Sequence, residues 1–93
     1  MKYFFVYILK CNDHSYYIGQ TDNMEKRLND HLEGKIDSYT SSRLPIKLVW
    51  IQSFNSRYEA LSAERKLKGW NRVKKETLIN CGIEAVKNLS KDN

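Results

Sequence analysis

The chain opens on a continuous β-prone run, Tyr3-Phe4-Phe5-Val6-Tyr7-Ile8-Leu9, with apolar residues on both faces. That pattern predicts a central strand, covered on each side. A second, shorter strand, Tyr16-Tyr17-Ile18-Gly19-Gln20, follows a polar turn through Asn12, Asp13, His14 and Ser15. Two strands joined so closely form a hairpin and pair antiparallel. Side chains alternate faces along a strand, so a turn with an odd number of residues puts Tyr7 and Tyr17 on one face. An even turn separates them, and a three-residue loop with a bulge fits the sequence.

The rest of the chain predicts helices around this hairpin. A first helix starts at Asp22 as N-cap, with Glu25 three residues later as in a capping box. Its buried stripe is Met24, Leu28 and Leu32, and Gly34 stops it. Residues 34–46 read as a loop. Lys47–Phe54 is a third strand, with Leu48, Trp50 and Phe54 on one face and Val49 and Ile51 on the other. Ser56 and Glu59 open a second helix that runs to about Lys68, and Gly69-Trp70-Asn71 breaks it. A third helix covers about Arg72–Asn80, with a last turn in Ile83–Leu89. The expected architecture is α+β: a small three-stranded antiparallel sheet, first strand central, with helices packed on it in the order ββαβαα. Residues 1–89 are expected to form one domain and residues 90–93 a frayed tail.

No run approaches the ~18 apolar residues of a membrane helix. The N-terminal apolar run is too short for a signal peptide. Cys11 and Cys81 form no metal-binding spacing, and reduced thiols in a cytoplasmic protein are expected. The formal net charge is +5, which favours an acidic partner, nucleic acid above all. Arg65, Lys66, Lys68, Arg72, Lys74 and Lys75 are six of the sixteen basic residues. They crowd around Trp70, which can stack on bases or pack onto the core. With Arg43 they form the candidate nucleic-acid-binding set.

Glu64 falls within the apolar face of its helix, between Ala60 and Leu61. A carboxylate there needs a partner. Two partners suit it: a nearby cationic side chain, or a divalent cation such as Mg²⁺, which keeps much of its hydration and needs few protein ligands. Arg27 and His31 share a face of the first helix at i and i+4. An Arg fork suits phosphate, and a His can carry a proton near neutral pH. A phenol ionises near 10, so a tyrosine is a poor base unless a cation assists it; Lys10, Lys35, Arg43 and Lys47 are the cations at hand.

Val6-Tyr7-Ile8 and Tyr17-Ile18-Gly19, followed by Arg27, His31 and Glu64, resemble the GIY-YIG nuclease domain over roughly residues 2–80. Tyr39-Thr40, Pro45-x-Lys47-Leu48-Val49 and Glu59-Ala60-Leu61-x-x-Glu64-x-x-Leu67-Lys68-x-Trp70 look like its small stand-alone bacterial branch. Val6 stands in place of the first glycine of the name motif, and Gln20 stands where some relatives carry Lys.

The resemblance implies metal-dependent hydrolysis of a nucleic-acid phosphodiester by a single-metal mechanism, DNA being the expected substrate. Glu64 would hold Mg²⁺ or Mn²⁺, and Arg27 the scissile phosphate. Tyr7 would activate or orient the attacking water with Tyr17 beside it, and His31 would relay a proton or contact phosphate. The alternative is a nucleic-acid-binding module that keeps the fold with little or no cleavage. Targeting is expected to come from a protein partner, a homodimer, or the loops at 34–46 and 65–75.

Overall fold

The computed structural model describes residues 2–35 and 38–91. Strand β1 (Phe4–Lys10) is hydrogen-bonded to β2 (Tyr16–Thr21) on one side and to β3 (Lys47–Phe54) on the other, both antiparallel. The expected central strand is therefore observed, and its apolar residues are buried from both sides: Val6, Tyr7, Ile8 and Leu9 are all 0% exposed.

The hairpin turn takes the three-residue form. Cys11 and Ser15 still bond through Cys11 N–H to Ser15 O at 2.9 Å, and His14 N–H closes back on Cys11 O at 2.9 Å. His14 adopts φ 68°, the left-handed conformation such a loop needs at its last position. The Asp13 carboxylate accepts from Ser15 N–H at 3.0 Å, an Asx turn that fixes the bend. Because Tyr7 faces Gly19 and Leu9 faces Tyr17, Tyr7 and Tyr17 project from the same face.

The two faces of the sheet carry different cores. Tyr7, Leu9, Cys11 and Ile46 pack with Tyr17, Met24, Leu28, Tyr39 and Leu48. Val6, Ile8 and Ile18 pack with Ala60, Leu67, Leu78 and Val86 from the C-terminal helices, and Trp70 packs against this cluster too. The expected face assignment of β3 is corrected here. Ile8 pairs with Trp50 but Leu9 pairs with Leu48, so Val49 is an extra residue at a β-bulge. One added residue flips every side chain beyond it. Leu48 thus joins the Tyr7 face, Val49 joins Trp50 and Phe54 on the other, and Ile51 is exposed.

Helix α1 (Met24–Leu32) begins one residue later than expected. Asn23 is the N-cap, its side chain accepting from Lys26 N–H at 3.1 Å. Asp22 instead pairs with Lys2 at 2.9 Å. Thr21 is buried at the end of β2, and its hydroxyl accepts from Asn23 N–H at 3.1 Å, which shifts the start of the helix. The stripe is also corrected: Leu32 is exposed and His31 is fully buried. Position 31 lies two turns from Met24 almost in line with it, whereas position 32 has rotated roughly 80° away. Gly34, at φ 73°, ends the helix as expected.

A short helix, α2 (Ser38–Ser41), occupies part of the expected loop. Helix α3 (Arg57–Lys68) has the predicted Ser56 cap, accepting from Glu59 N–H at 3.2 Å, and ends at Gly69. Asn71 caps α4 (Arg72–Cys81), and α5 (Ile83–Lys91) is a full nine-residue helix where one turn was expected. Val86 docks α5 onto the core, which explains the longer helix. The expected tail from Ser90 overlaps the end of α5; residues 92–93 lie outside the described residues. Both cysteines are free, Cys11 buried and Cys81 exposed. Among the described residues no helix is long and apolar enough to cross a membrane.

The Gly19 position is dictated by Tyr7. A Cβ at Gly19 would lie 2.5 Å from the Tyr7 hydroxyl oxygen and 2.7 Å from Cζ. Gly19→Ala must displace a fully buried ring, so it is expected to destabilise the fold by about 1–3 kcal/mol. Thermal unfolding of the two proteins measures this; an unchanged midpoint contradicts the packing argument.

Candidate active site

The hairpin presents two tyrosines to α1, and α1 returns His31 and Arg27 toward them. The Tyr7 hydroxyl is hydrogen-bonded to His31 Nε2 at 2.9 Å, and His31 Nδ1 to Thr40 Oγ1 at 2.9 Å. Tyr7, His31 and Thr40 are each 0% exposed, so this chain of polar groups runs through the core. Buried polar groups at such distances satisfy one another and hold the imidazole in one orientation. The Tyr17 ring packs edge-on to His31, centroids 5.1 Å apart, with Tyr7 at 6.4 Å and Tyr39 at 6.2 Å. Arg43 lies over the outer face of Tyr39 at 3.8 Å.

The two tyrosines differ in access. Tyr7 is sealed, whereas Tyr17 is half-buried and lines an open groove with Tyr16, Ile18, Tyr39, Lys68 and Lys75. Burial pushes the Tyr7 phenol well above the usual tyrosine value, and the neighbouring Tyr17 and Glu64 add to the rise. Arg27 opposes it through its charge and a hydrogen bond. Tyr7 thus stays protonated in this setting and serves as a hydrogen-bonding group rather than a standing phenolate.

Arg27 is half-buried and also lines a cleft with Thr21, Asp22, Asn23, Lys26 and Asp30, so its guanidinium stands between Tyr7 and solvent. Glu64 acts electrostatically on the same phenol. Its side chain is only 14% exposed, and its ion pair is with Lys68 at a loose 3.5 Å, the lysine being 57% exposed. A carboxylate in that state can exchange a mobile ammonium for a hydrated cation. Among the described residues no three His, Cys, Asp or Glu side chains group as metal ligands. Glu64 offers one part-buried carboxylate, a kind of donor that Mg²⁺ can take while keeping its waters.

His31 and Tyr17 thus touch the Tyr7 side chain, and Arg27 and Glu64 act on its phenol electrostatically. The basic candidates disperse. Lys68 and Lys75 line the Tyr17 groove. Arg43 is bound at home: its Nε donates to Asp13 at 2.8 Å and its Nη1 to Tyr39 O at 3.0 Å, tying the hairpin loop to α2. Arg72 pairs with Glu76 at 3.3 Å and covers the Tyr16 ring, and Lys74 lies over Trp70. Arg65 and Lys66 are exposed on α3. Gln20 faces Val6, on the opposite side of the sheet from the tyrosines, and its Oε1 is buried with no partner among the described residues. Thr40 and Tyr39 are site neighbours that residue spacing did not single out; the Tyr39-Thr40 pair was visible only as part of the resemblance.

The chain is similar to known proteins over most of its length. The model of the GIY-YIG catalytic domain matches residues 3–77. A UPF0213 protein of Streptococcus pneumoniae is 47% identical over 76 residues, covering 82% of this chain and 77% of the relative. One from Haloquadratum walsbyi is 39% identical over 82 residues, covering 88% and 92%. The solution structure of the UPF0213 protein BH0048 from Bacillus halodurans superposes with a TM-score of 0.57 at 37% identity, covering 91% of this chain and 93% of that one. The protein EF2693 from E. faecalis gives a TM-score of 0.60 at 35% identity, covering 85% and 84%.

Proposed function

The chain belongs to the GIY-YIG catalytic-domain family, and from that premise we propose that it is a metal-dependent endonuclease acting on DNA. The observation that carries the reading is the contact of the buried Tyr7 with His31 and Tyr17, on which Arg27 and Glu64 act electrostatically. A structural core has no need of a guanidinium, an imidazole and a carboxylate there.

Roles follow from access and chemistry. Arg27 grips the scissile phosphate with its fork, opposing the charge that builds on the phosphoryl oxygens. Tyr17 faces the groove and contacts the attacking water. Tyr7 and His31 stand behind it as positioning residues. With Nδ1–H donated to Thr40, His31 presents Nε2 as acceptor to the Tyr7 hydroxyl, and that fixed pair holds the Tyr17 ring at its packing distance. Glu64 holds the divalent cation, Mg²⁺ or Mn²⁺. When bound, that cation supplies positive charge that stabilises the leaving oxygen. Lys68 and Lys75 steer the backbone into the groove.

The test is nuclease activity of the purified protein on single-stranded, duplex, flap and junction DNAs with Mg²⁺, Mn²⁺ or EDTA. Cutting that requires metal is expected. No cutting anywhere, with salt-sensitive binding retained, replaces the enzyme with a nucleic-acid-binding module. Thr40→Val keeps the volume but removes the hydroxyl from His31. It is expected to slow cleavage about five- to tenfold and to change the His31 ¹⁵N shifts that report the tautomer. Unaltered ¹⁵N shifts exclude Thr40 from setting it.

A further inference from the structure

A row of three side chains crosses the hairpin end of the sheet. Lys10 pairs with Tyr16 on β2 and with Lys47 on β3, so all three project from one face. Two lysines directly opposite each other repel, and sheets ordinarily avoid this. Here neither is compensated: among the described residues neither ammonium meets a carboxylate. Lys2, Lys26, Lys35, Lys68 and Lys87, by contrast, each do. The pair lines a cavity with Tyr16, Leu48, Val49 and Glu76. Glu76 is already held by Arg72 Nε at 3.3 Å and by the Tyr16 hydroxyl at 3.2 Å. Tyr16 is also a wall of the groove that holds Tyr17. The two concave surfaces therefore meet at one ring.

We propose that Lys10 and Lys47 form a second phosphate subsite, which seats the nucleic-acid backbone away from the scissile position. The inference rests on the nuclease reading for the identity of its ligand. The two non-bridging oxygens of one phosphodiester can each accept from one lysine, so a single backbone phosphate can bridge the pair. Lys10, Tyr16 and Lys47 stand on the Val6 and Ile8 face of the sheet, opposite Tyr7 and Tyr17, and Tyr16 on the edge strand β2 is where the two surfaces meet. The backbone would leave the Tyr17 groove, round the β2 edge at Tyr16 and settle on the lysines of the other face. An unfavourable cross-strand pair is then kept for the sake of binding.

This predicts opposite changes in stability and affinity for the double substitution Lys10→Gln with Lys47→Gln. Binding of a labelled duplex is measured in EDTA across roughly 50–200 mM salt, together with thermal unfolding at low salt. Affinity is expected to fall about five- to tenfold and the slope of log affinity against log salt to flatten by about 0.9, one phosphate contact. The unfolding midpoint is expected to rise by ~2–4 °C as the repulsion is removed. A falling midpoint overturns the proposal, since it marks the lysines as partners of the last carbonyls of α4. Wild-type binding that the variant matches overturns it too, while leaving the nuclease reading intact. Should the wild-type protein bind none of the single-stranded, duplex, flap and junction DNAs, the nuclease reading fails separately. Inorganic phosphate then decides: amide shifts confined to residues 10, 16 and 47 uphold the anion site, and none removes it.

Discussion

Glu64→Gln is expected to reduce metal-dependent cleavage by at least ~10³-fold while duplex affinity stays within about twofold. Glutamine keeps the shape of the side chain and its place on α3, but loses the charge that holds a divalent cation. The fold should tolerate the change: the ion pair lost is the loose one to Lys68, whose ammonium is mostly solvated. Such pairs contribute about 0–1 kcal/mol. The substitution also removes one of the influences that raise the Tyr7 phenol, so the lost activity cannot be blamed on a harder proton at Tyr7. Cleavage rates over a Mg²⁺ series and anisotropy with the same duplex give both numbers. Wild-type cutting by Glu64→Gln sinks the metal assignment. A parallel loss of binding makes the residue a structural one instead.

How far the sequence led depended on whether the signal was local. The hairpin was legible because a period of two and a turn of polar residues fix it, but whether Tyr7 and Tyr17 share a face hung on the number of residues in the turn, which only the strand register decides. The bulge at Val49 was not, because it exists only in the pairing of β3 with β1. On α1, residue type was weighed above angle. The apolar stripe Met24, Leu28 and Leu32 includes Leu32 by residue type, although the rotation from Met24 favours position 31, the one that is buried. A fully buried imidazole is stable only because Tyr7 and Thr40 satisfy it, and Thr40 comes from a segment with no periodicity to read. Arg43 has partners that its place in the sequence does not display. Asp13, thirty residues away, and the Tyr39 carbonyl both accept from its guanidinium. Glu64 was legible since a carboxylate on an apolar stripe is an anomaly that sequence alone displays.

Tyr17→Phe is expected to slow cleavage by about 10²-fold or more with little change in stability, because the ring keeps its contacts with His31 and Tyr39 and its half-buried position. Tyr7→Phe has the reverse balance. It leaves His31 Nε2 without its hydroxyl partner inside the core, at a cost of about 1–3 kcal/mol, and slows cleavage about tenfold through a displaced His31. Their alkaline behaviour separates the pair further. In the wild type the unfolded Tyr7 releases its proton at the ordinary phenol value near 10, whereas burial holds the folded one higher. The folded state therefore binds more protons in that range, and stability falls as pH rises past about 10. Tyr7→Phe should remove that part of the decline. Denaturant titrations between about pH 9 and 11 for both variants, set beside their cleavage rates, test the division of labour. If Tyr7→Phe is the slower enzyme and Tyr17→Phe the less stable protein, the buried tyrosine is the one that reaches the substrate, and the site must open for it to do so.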